Sequence, residues 1–348
     1  MGLRYGIESA LKLEHFIGNL LESFGTIYDK LDGGQGFRTV EEILKEMSPV
    51  SRSGDVSSEM VDLTKITLRD KLLDIGVSKI MVEEIVTVAS RVNYGQMPDE
   101  LHAFVGSVGL AGMDGALWAV HGGNKEVVKC ADMLGRARGF RARVVEVEKK
   151  GDRFEVIYSF DGKSEKREEF DVVILATPLT SDVSEVKLPG DFSFPGHYHK
   201  TVATIVQGEL VPQSAGFKDP SDFTTTNFYL SPESDRVSIA RLSPVDFNPD
   251  TDLSLPPVYK VFSRREFSES ELSDLFVNIT FTHTVPWLAY PSYSTSDDLT
   301  TFELMPGLYY QNRIEWAASA MEMSVIAARN VANLVVKYVK NRTSKDEL

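Results

Sequence analysis

The chain has 348 residues, 42% hydrophobic and 25% charged, the make-up of an ordinary globular protein with room for two domains or one elaborated α/β body. Its formal charge of −14, from 37 basic and 51 acidic side chains, is spread along the sequence and argues against a nucleic-acid surface, which needs clustered Lys and Arg. No apolar run approaches the roughly 20 residues that cross a bilayer, so no transmembrane segment is expected, and the single cysteine, Cys130, excludes an internal disulfide.

Residues 1 to about 95 read as helices. Apolar side chains recur at helical spacing through Leu11, Leu13, Phe16, Ile17, Leu20 and Leu21, then through Val40, Ile43, Leu44 and Met47, and again from Leu68 to Val88. From 103 to 124 the chain is rich in glycine, so its backbone can approach a ligand or another element closely. A helix is expected over Val127 to Leu134, where Cys130 reads as a buried, inert thiol. Two strands follow, Ala142 to Lys149 and Arg153 to Phe160, then a turn at Asp161-Gly162. Phe170 to Ala176 reads as a compact apolar strand buried on both faces of a parallel sheet. Beyond it, Thr201 to Val206, Val237 to Leu242, Val258 to Phe262 and Phe276 to Thr282 suggest a β-rich layer. Leu308 to Gln311 is a short strand, and Ser319 to Val339 one long helix.

No metal site is expected: the one close histidine pair, His197 and His199, has no carboxylate or cysteine at ligand spacing. There is no G-x-S-x-G elbow, and His102, His121 and His283 have no local nucleophile. The C-terminal Lys345-Asp346-Glu347-Leu348 spells an address read by the K-D-E-L receptor in the endoplasmic reticulum. Met1 to Arg4 leads straight into an amphipathic pattern with no signal peptide, so the chain is expected to be an N-terminally incomplete form. Two glycosylation acceptors, Asn278 and Asn341, gain meaning in the lumen; Asn341 lies in a polar tail, whereas Asn278 is expected to be hidden on a strand.

The more informative pattern is an order of elements. A glycine turn (Gly122-Gly123-Asn124), a helix, a hairpin and the strand ending Ala176-Thr177-Pro178 are followed far downstream by a strand, a small-residue turn and a long helix. Helix N-termini and strand ends in such an order suit an anionic dinucleotide. In Glu315-Trp316-Ala317-Ala318-Ser319-Ala320-Met321 the small residues would let backbone amides reach a cofactor, although on spacing alone a helix packed tightly on a sheet is the better explanation.

The stretches R-V-N-Y-G-Q (91 to 96), H-A-F-V-G-S-V-G-L-A-G (102 to 112), L-W-A-V-H-G-G-N-K (117 to 125), V-V-I-L-A-T-P-L (172 to 179), P-W-L-A-Y-P-S-Y (286 to 293) and L-Y-Y-Q-N-R-I-E-W-A-A-S-A-M-E-M-S-V-I-A-A (308 to 328) together resemble the prenylcysteine oxidase, or prenylcysteine lyase, family. The resemblance runs over essentially the whole chain. It implies a mixed α/β fold: an FAD/NAD(P)-binding fold of the flavin amine oxidase type with a β-rich and helical substrate domain. It implies 1–100 as the helical part of the substrate domain, 101–185 as the central part of the FAD-binding domain and 186–300 as the β-rich substrate domain. Residues 301–340 would then be the C-terminal strand and helix of the FAD-binding domain, and 341–348 a tail.

The activity so implied is FAD-dependent oxidation of the carbon next to sulfur in farnesyl- or geranylgeranyl-cysteine. Cysteine and a prenyl aldehyde are released, and molecular oxygen is reduced to hydrogen peroxide. By the same resemblance Val144 meets the adenosine of FAD, Ala176, Thr177 and Pro178 its phosphates or ribityl chain, and Glu315, Ala320 and Met321 the flavin end. Trp118, Trp287, Tyr290 and Tyr293 wall the flavin and prenyl pocket. No side-chain base is assigned. The family pattern puts the complete protein in the ER lumen or lysosome.

One departure is plain: the chain has no G-x-G-x-x-G turn, since Gly33-Gly34-Gln35-Gly36 has the wrong spacing and Gly106 to Gly112 steps by threes. The first βαβ unit is therefore expected to be absent. The alternative is a flavin-free prenyl-binding or interaction protein.

Overall fold

The computed structural model describes residues 2–48, 59–112, 119–133, 138–216, 226–228, 234–243, 257–297 and 299–346. The first part of the chain is helical: α1 Gly2–Tyr5, α2 Ile7–Asp32, α3 Val40–Glu46, α4 Glu59–Asp62, α5 Leu68–Asp74, α6 Lys79–Met81, α7 Thr87–Tyr94 and α8 Ala103–Ala111. A π-helical segment, Val82–Val86, joins α6 to α7. The starts of these helices carry side-chain caps. Thr39 accepts the Glu42 amide at 3.1 Å while the Glu42 carboxylate accepts the Thr39 amide, and Thr67 and His102 cap α5 and α8.

The glycine-rich stretch is resolved by packing, not by a ligand loop, over Gly106. That residue sits inside α8, where a Cβ would lie 2.5 Å from Leu68 of α5, so glycine lets the two helices close. Helix α9, Lys125–Met133, follows; the side chain of Cys130 lies outside the described residues.

Among the described residues the strands form three sheets. Strands β1 Arg143–Lys150, β2 Arg153–Ser159 and β3 Glu165–Phe170 make an antiparallel meander. Strand β4, Val173–Leu175, pairs in parallel with β11, Leu308–Tyr310, which also pairs with β10, Glu303–Met305. The third sheet runs β6 Thr226–Phe228, β7 Arg236–Leu242, β8 Val258–Ser263, β5 Tyr198–Leu210, β9 Phe276–Pro291. A helix, Glu269–Leu275, packs on one face of that sheet through Leu272 and Leu275, against Val206, Tyr259 and Val261.

Several expectations need correction. The strand around 172 is not buried on both faces: β4 is the outer strand of its sheet as described, and Ile174 is 45% exposed. Strand β3, E-K-R-E-E-F, was not expected, because its charges alternate nothing apolar; it forms because it completes the meander on β2. Strand β9 runs well past Thr282 and through Pro286, which an edge strand tolerates because one side of its backbone needs no ladder bonds. The C-terminal helix spans Met321–Asp346, so residues expected as a polar tail are helical.

The main core joins the two ends of the chain. Ile27, Leu31, Val40, Ile43 and Leu44 pack with Phe302, Tyr309, Trp316, Met323, Ile326 and Val331. Asn330, fully buried, accepts the Phe37 amide at 2.7 Å and donates to the Phe37 carbonyl at 2.9 Å, so its amide group is satisfied by backbone nearly 300 residues away. A second cluster, Val147, Phe154, Leu175, Leu179, Leu308 and Tyr310, holds the meander against the parallel pair.

Candidate functional site

Parallel pairing aligns the carboxyl ends of β4 and β11, with Leu175 opposite Tyr310. In open α/β sheets that end is where ligands bind. From β4 the chain continues into Ala176 and Thr177, both exposed, and Pro178, half-buried. From β11 it continues through a 3₁₀ turn, Gln311–Trp316, that carries Glu315; Ala317 and Ala318 are then fully buried, and the C-terminal helix begins at Met321. The first amides of that helix have no intrahelical acceptor and stand at the positive end of its dipole.

Met321 and Val325 leave 65% and 63% of their surface exposed at this helix start. The Gly122-Gly123-Asn124 turn comes over it, with Asn124 Nδ2 at 3.7 Å from Met321 Sδ, and both glycines have positive φ, 79° and 92°, which makes the turn possible. Exposed backbone at 176–177, small side chains at 317, 318 and 320, and uncovered apolar groups at 321 and 325 fit a large, partly apolar cofactor with an anionic portion. Val144 lies elsewhere: it is near the start of β1, opposite Tyr158, beside a register break at Val144/Glu146.

Behind the helix start lies an aromatic layer. Tyr94 meets Tyr290 and Tyr293 edge-on at 5.5 and 5.4 Å, and His102 meets Tyr293 at 5.5 Å. The Tyr293 hydroxyl accepts the Ser319 amide at 2.8 Å and donates to the Glu315 carbonyl at 3.1 Å, so this buried phenol sets the turn that precedes the C-terminal helix. Burial pushes its pKa well above the ordinary phenol value, so it stays protonated and keeps both roles. Tyr198 donates to the Glu315 carboxylate, whose pKa burial raises while that bond holds it down. Trp287 and Tyr290 line a cavity of about 100 Å³, with Phe262 6.2 Å from Trp287. Trp118 lies outside the described residues.

Reading residues one by one gave no role to Tyr94, Tyr198 or His102, although Tyr94 and His102 stand in the motifs quoted above. His102 is fully buried; its Nδ1 accepts the Val105 amide and its Nε2–H donates to the Trp316 carbonyl, each at 3.2 Å, which assigns the tautomer. Burial pushes its pKa down to about 4. Below the ordinary value of 6.5 the unfolded chain takes up a proton that the folded chain refuses, so stability from this group is full above about pH 6.5 and falls as pH drops toward 4. Asp297, raised to about 6 by burial, acts in the opposite sense, favouring the folded state as pH falls below 6. Comparison with His102→Gln isolates the first effect. Urea unfolding should show the parent losing roughly 2 kcal/mol more than the variant between pH 7 and 4.5, and equal losses would refute it.

Among the described residues no group of three or more His, Cys, Asp or Glu could hold a metal, and no helix is long and apolar enough to cross a membrane. Both acceptor asparagines are exposed. Asn278 lies on β9 as expected but is not hidden; it adopts φ 52° and donates to Glu209 at 3.1 Å.

The fold is that of the flavin amine oxidases. A putrescine oxidase bound to putrescine superposes with a TM-score of 0.54 at 12% identity, covering 95% of this chain and 76% of that one, and a triple mutant of putrescine oxidase gives 0.52 with the same coverage. The family is more specific. A prenylcysteine lyase family model matches residues 1–347, and the chain belongs to that family. It is 32% identical to prenylcysteine oxidase 1 of Bos taurus over 347 residues, covering 95% of this chain and 66% of the relative. It is 31% identical to prenylcysteine oxidase 1-like of Homo sapiens over 343 residues, covering 95% and 67%. The chain thus spans about two-thirds of the length of the curated relatives it matches.

Proposed function

We propose that this protein is an FAD-dependent thioether oxidase. It converts farnesyl- or geranylgeranyl-cysteine, water and molecular oxygen into cysteine, a prenyl aldehyde and hydrogen peroxide, in the degradation of prenylated proteins. The observation that carries this reading is the alignment of the carboxyl ends of β4 and β11, with the aromatic layer nearby, in a chain of the prenylcysteine lyase family. When bound, FAD supplies the two-electron oxidation, accepting a hydride from the carbon next to sulfur.

The protein's part is to hold and orient. The amides at Ala320 and Met321, beside Glu315, would hold the flavin end of FAD, Ala176, Thr177 and Pro178 its ribityl chain and phosphates, and the backbone of Val144, away from these residues on β1, its adenosine. Tyr293 keeps the Glu315–Ser319 turn in place, and Tyr290 and Trp287 exclude water from the prenyl side. We place the protein in the ER lumen or lysosome, with K-D-E-L read by its receptor and Asn278 and Asn341 open to glycosylation.

The visible spectrum of the 348-residue chain purified with excess FAD, followed by peroxide release on adding farnesylcysteine, tests this. Bound flavin absorbance and peroxide are expected. A folded, colourless and peroxide-silent chain would overturn it and favour a flavin-free prenyl-binding role.

A further inference from the structure

Helices α2 and α8 meet in an apolar seam. Ile17, Leu21 and Phe24 on α2 and Phe104, Val108 and Ala111 on α8 line it, each set at the i, i+4, i+7 spacing of one helix face, so each helix supplies one wall. The only polar side chain among its described lining residues, Ser107, spends its hydroxyl on the Ala103 carbonyl at 2.7 Å. The enclosed space is about 30 Å³, room for a methyl branch and not for a whole ligand, and the seam opens along Leu21, which leaves 49% of its surface exposed. On that flank of α2 a Cβ added to Gly18 or Gly25 meets no described atom within 4 Å. Two glycines inside one helix cost it stability, and no neighbour among the described residues requires them.

The seam has a direction. At one end Phe24 and Phe104 pack into the main core, and at the other Ile17 and Leu110, beside Ala111, pack into a separate cluster with Leu68 and Val86. Two contacts tie the main-core end to the start of the C-terminal helix. Phe24 meets the Tyr28 ring edge-on at 6.3 Å, and the Tyr28 hydroxyl donates to Glu322 Oε1 at 2.5 Å, next to Met321 in the first turn of that helix. On the other wall Phe104 stands two residues beyond His102, which donates to the Trp316 carbonyl in the turn before the helix. Tyr28, Phe24, Leu21 and Ile17 share one face of α2 and cover about 16 Å at the helical rise of about 1.5 Å per residue, close to the length of an extended farnesyl chain.

We infer that the seam between α2 and α8 bears the far part of the prenyl tail, which runs from the helix start at Met321 past Tyr28 and Phe24 to Leu21, with Ile17 and Ala111 at the end that a longer tail reaches. Each methylene taken out of water there contributes about 0.8 kcal/mol, so the seam makes affinity depend on tail length. The inference rests on the proposed function and adds the residues that select the number of isoprene units.

Calorimetric binding to the FAD-saturated full chain tests it with three probes, S-dimethylallyl-, S-farnesyl- and S-geranylgeranyl-cysteine. Leu21 lies about 10 Å along α2 from Tyr28, beyond the reach of the dimethylallyl group. Leu21→Gln, at an exposed position and with a residue that suits a helix, is therefore expected to weaken farnesylcysteine roughly tenfold and to leave the dimethylallyl probe unchanged. Ala111→Phe, which fills the far end, is expected to weaken geranylgeranylcysteine several-fold more than farnesylcysteine. Farnesylcysteine bound by Leu21→Gln as tightly as by the parent overturns the seam and leaves the prenyl reading standing. An equal loss for the dimethylallyl and farnesyl probes in that variant overturns it too. Failure of the parent to bind any of the three overturns the prenyl reading itself, and the seam with it. Far-ultraviolet circular dichroism confirms that each variant is folded, and Leu21→Gln decides alone if Ala111→Phe is not.

Discussion

Replacing Gly196 with alanine is expected to lower the free energy of unfolding by about 3 kcal/mol, the sum of overpacking in a core and an unfavourable backbone conformation. Gly196 has φ 93°, a region that costs a residue with a Cβ, and the added methyl carbon would stand 2.1 Å from Trp316 Cη2. Trp316 cannot yield easily. It is 4% exposed, its ring meets Tyr198 edge-on at 6.3 Å, and its carbonyl accepts His102 Nε2–H. Either the loop before β5 or the 3₁₀ turn must shift. Because that turn leads into the C-terminal helix, flavin retention should fall together with stability. Urea titration of parent and variant reads the first effect, and a change below about 1 kcal/mol would show that the indole has room to move.

Ala320→Trp is expected to give a folded chain whose flavin-to-protein ratio is about tenfold or more below the parent. Ala320 is half-buried at the edge of the main core, directly before the helix start, and Ala317 and Ala318 behind it are fully buried. An indole at 320 finds no space inward. It must turn outward across the amides of Met321 and its neighbours, where the proposed cofactor contacts lie. Far-ultraviolet circular dichroism checks folding, and the absorbance ratio near 450 and 280 nm checks loading. Full flavin content in the folded variant would refute the helix-start assignment.

The local elements were legible where their signals are local. Apolar spacing marks α2 and, through Val40, Ile43 and Leu44, α3, and Asp161-Gly162 marks the turn after β2. Strand β3 escaped notice because E-K-R-E-E-F has no apolar alternation and is held by pairing with β2. The extent of β9 was hidden by Pro286, since a proline reads as a break until the strand is known to lie at an edge. Likewise Ile174 was read as interior because V-V-I-L is apolar, whereas exposure depends on which strands cover it.

The sequence by itself determined the family, the absence of a G-x-G-x-x-G turn, and the order of strand, small-residue turn and long helix. Only the tertiary structure decided which groups meet: Tyr94 with Tyr290 and Tyr293, His102 with the Trp316 carbonyl, and Asn330 with the Phe37 backbone. The physical reason is range. Caps, turns and amphipathic spacing act within a few residues and leave their mark in the local sequence. The Trp316 carbonyl that accepts from His102 and the Arg264 guanidinium that disfavours the charge on Arg91 come from segments about 210 and 170 positions away, and no local pattern encodes them.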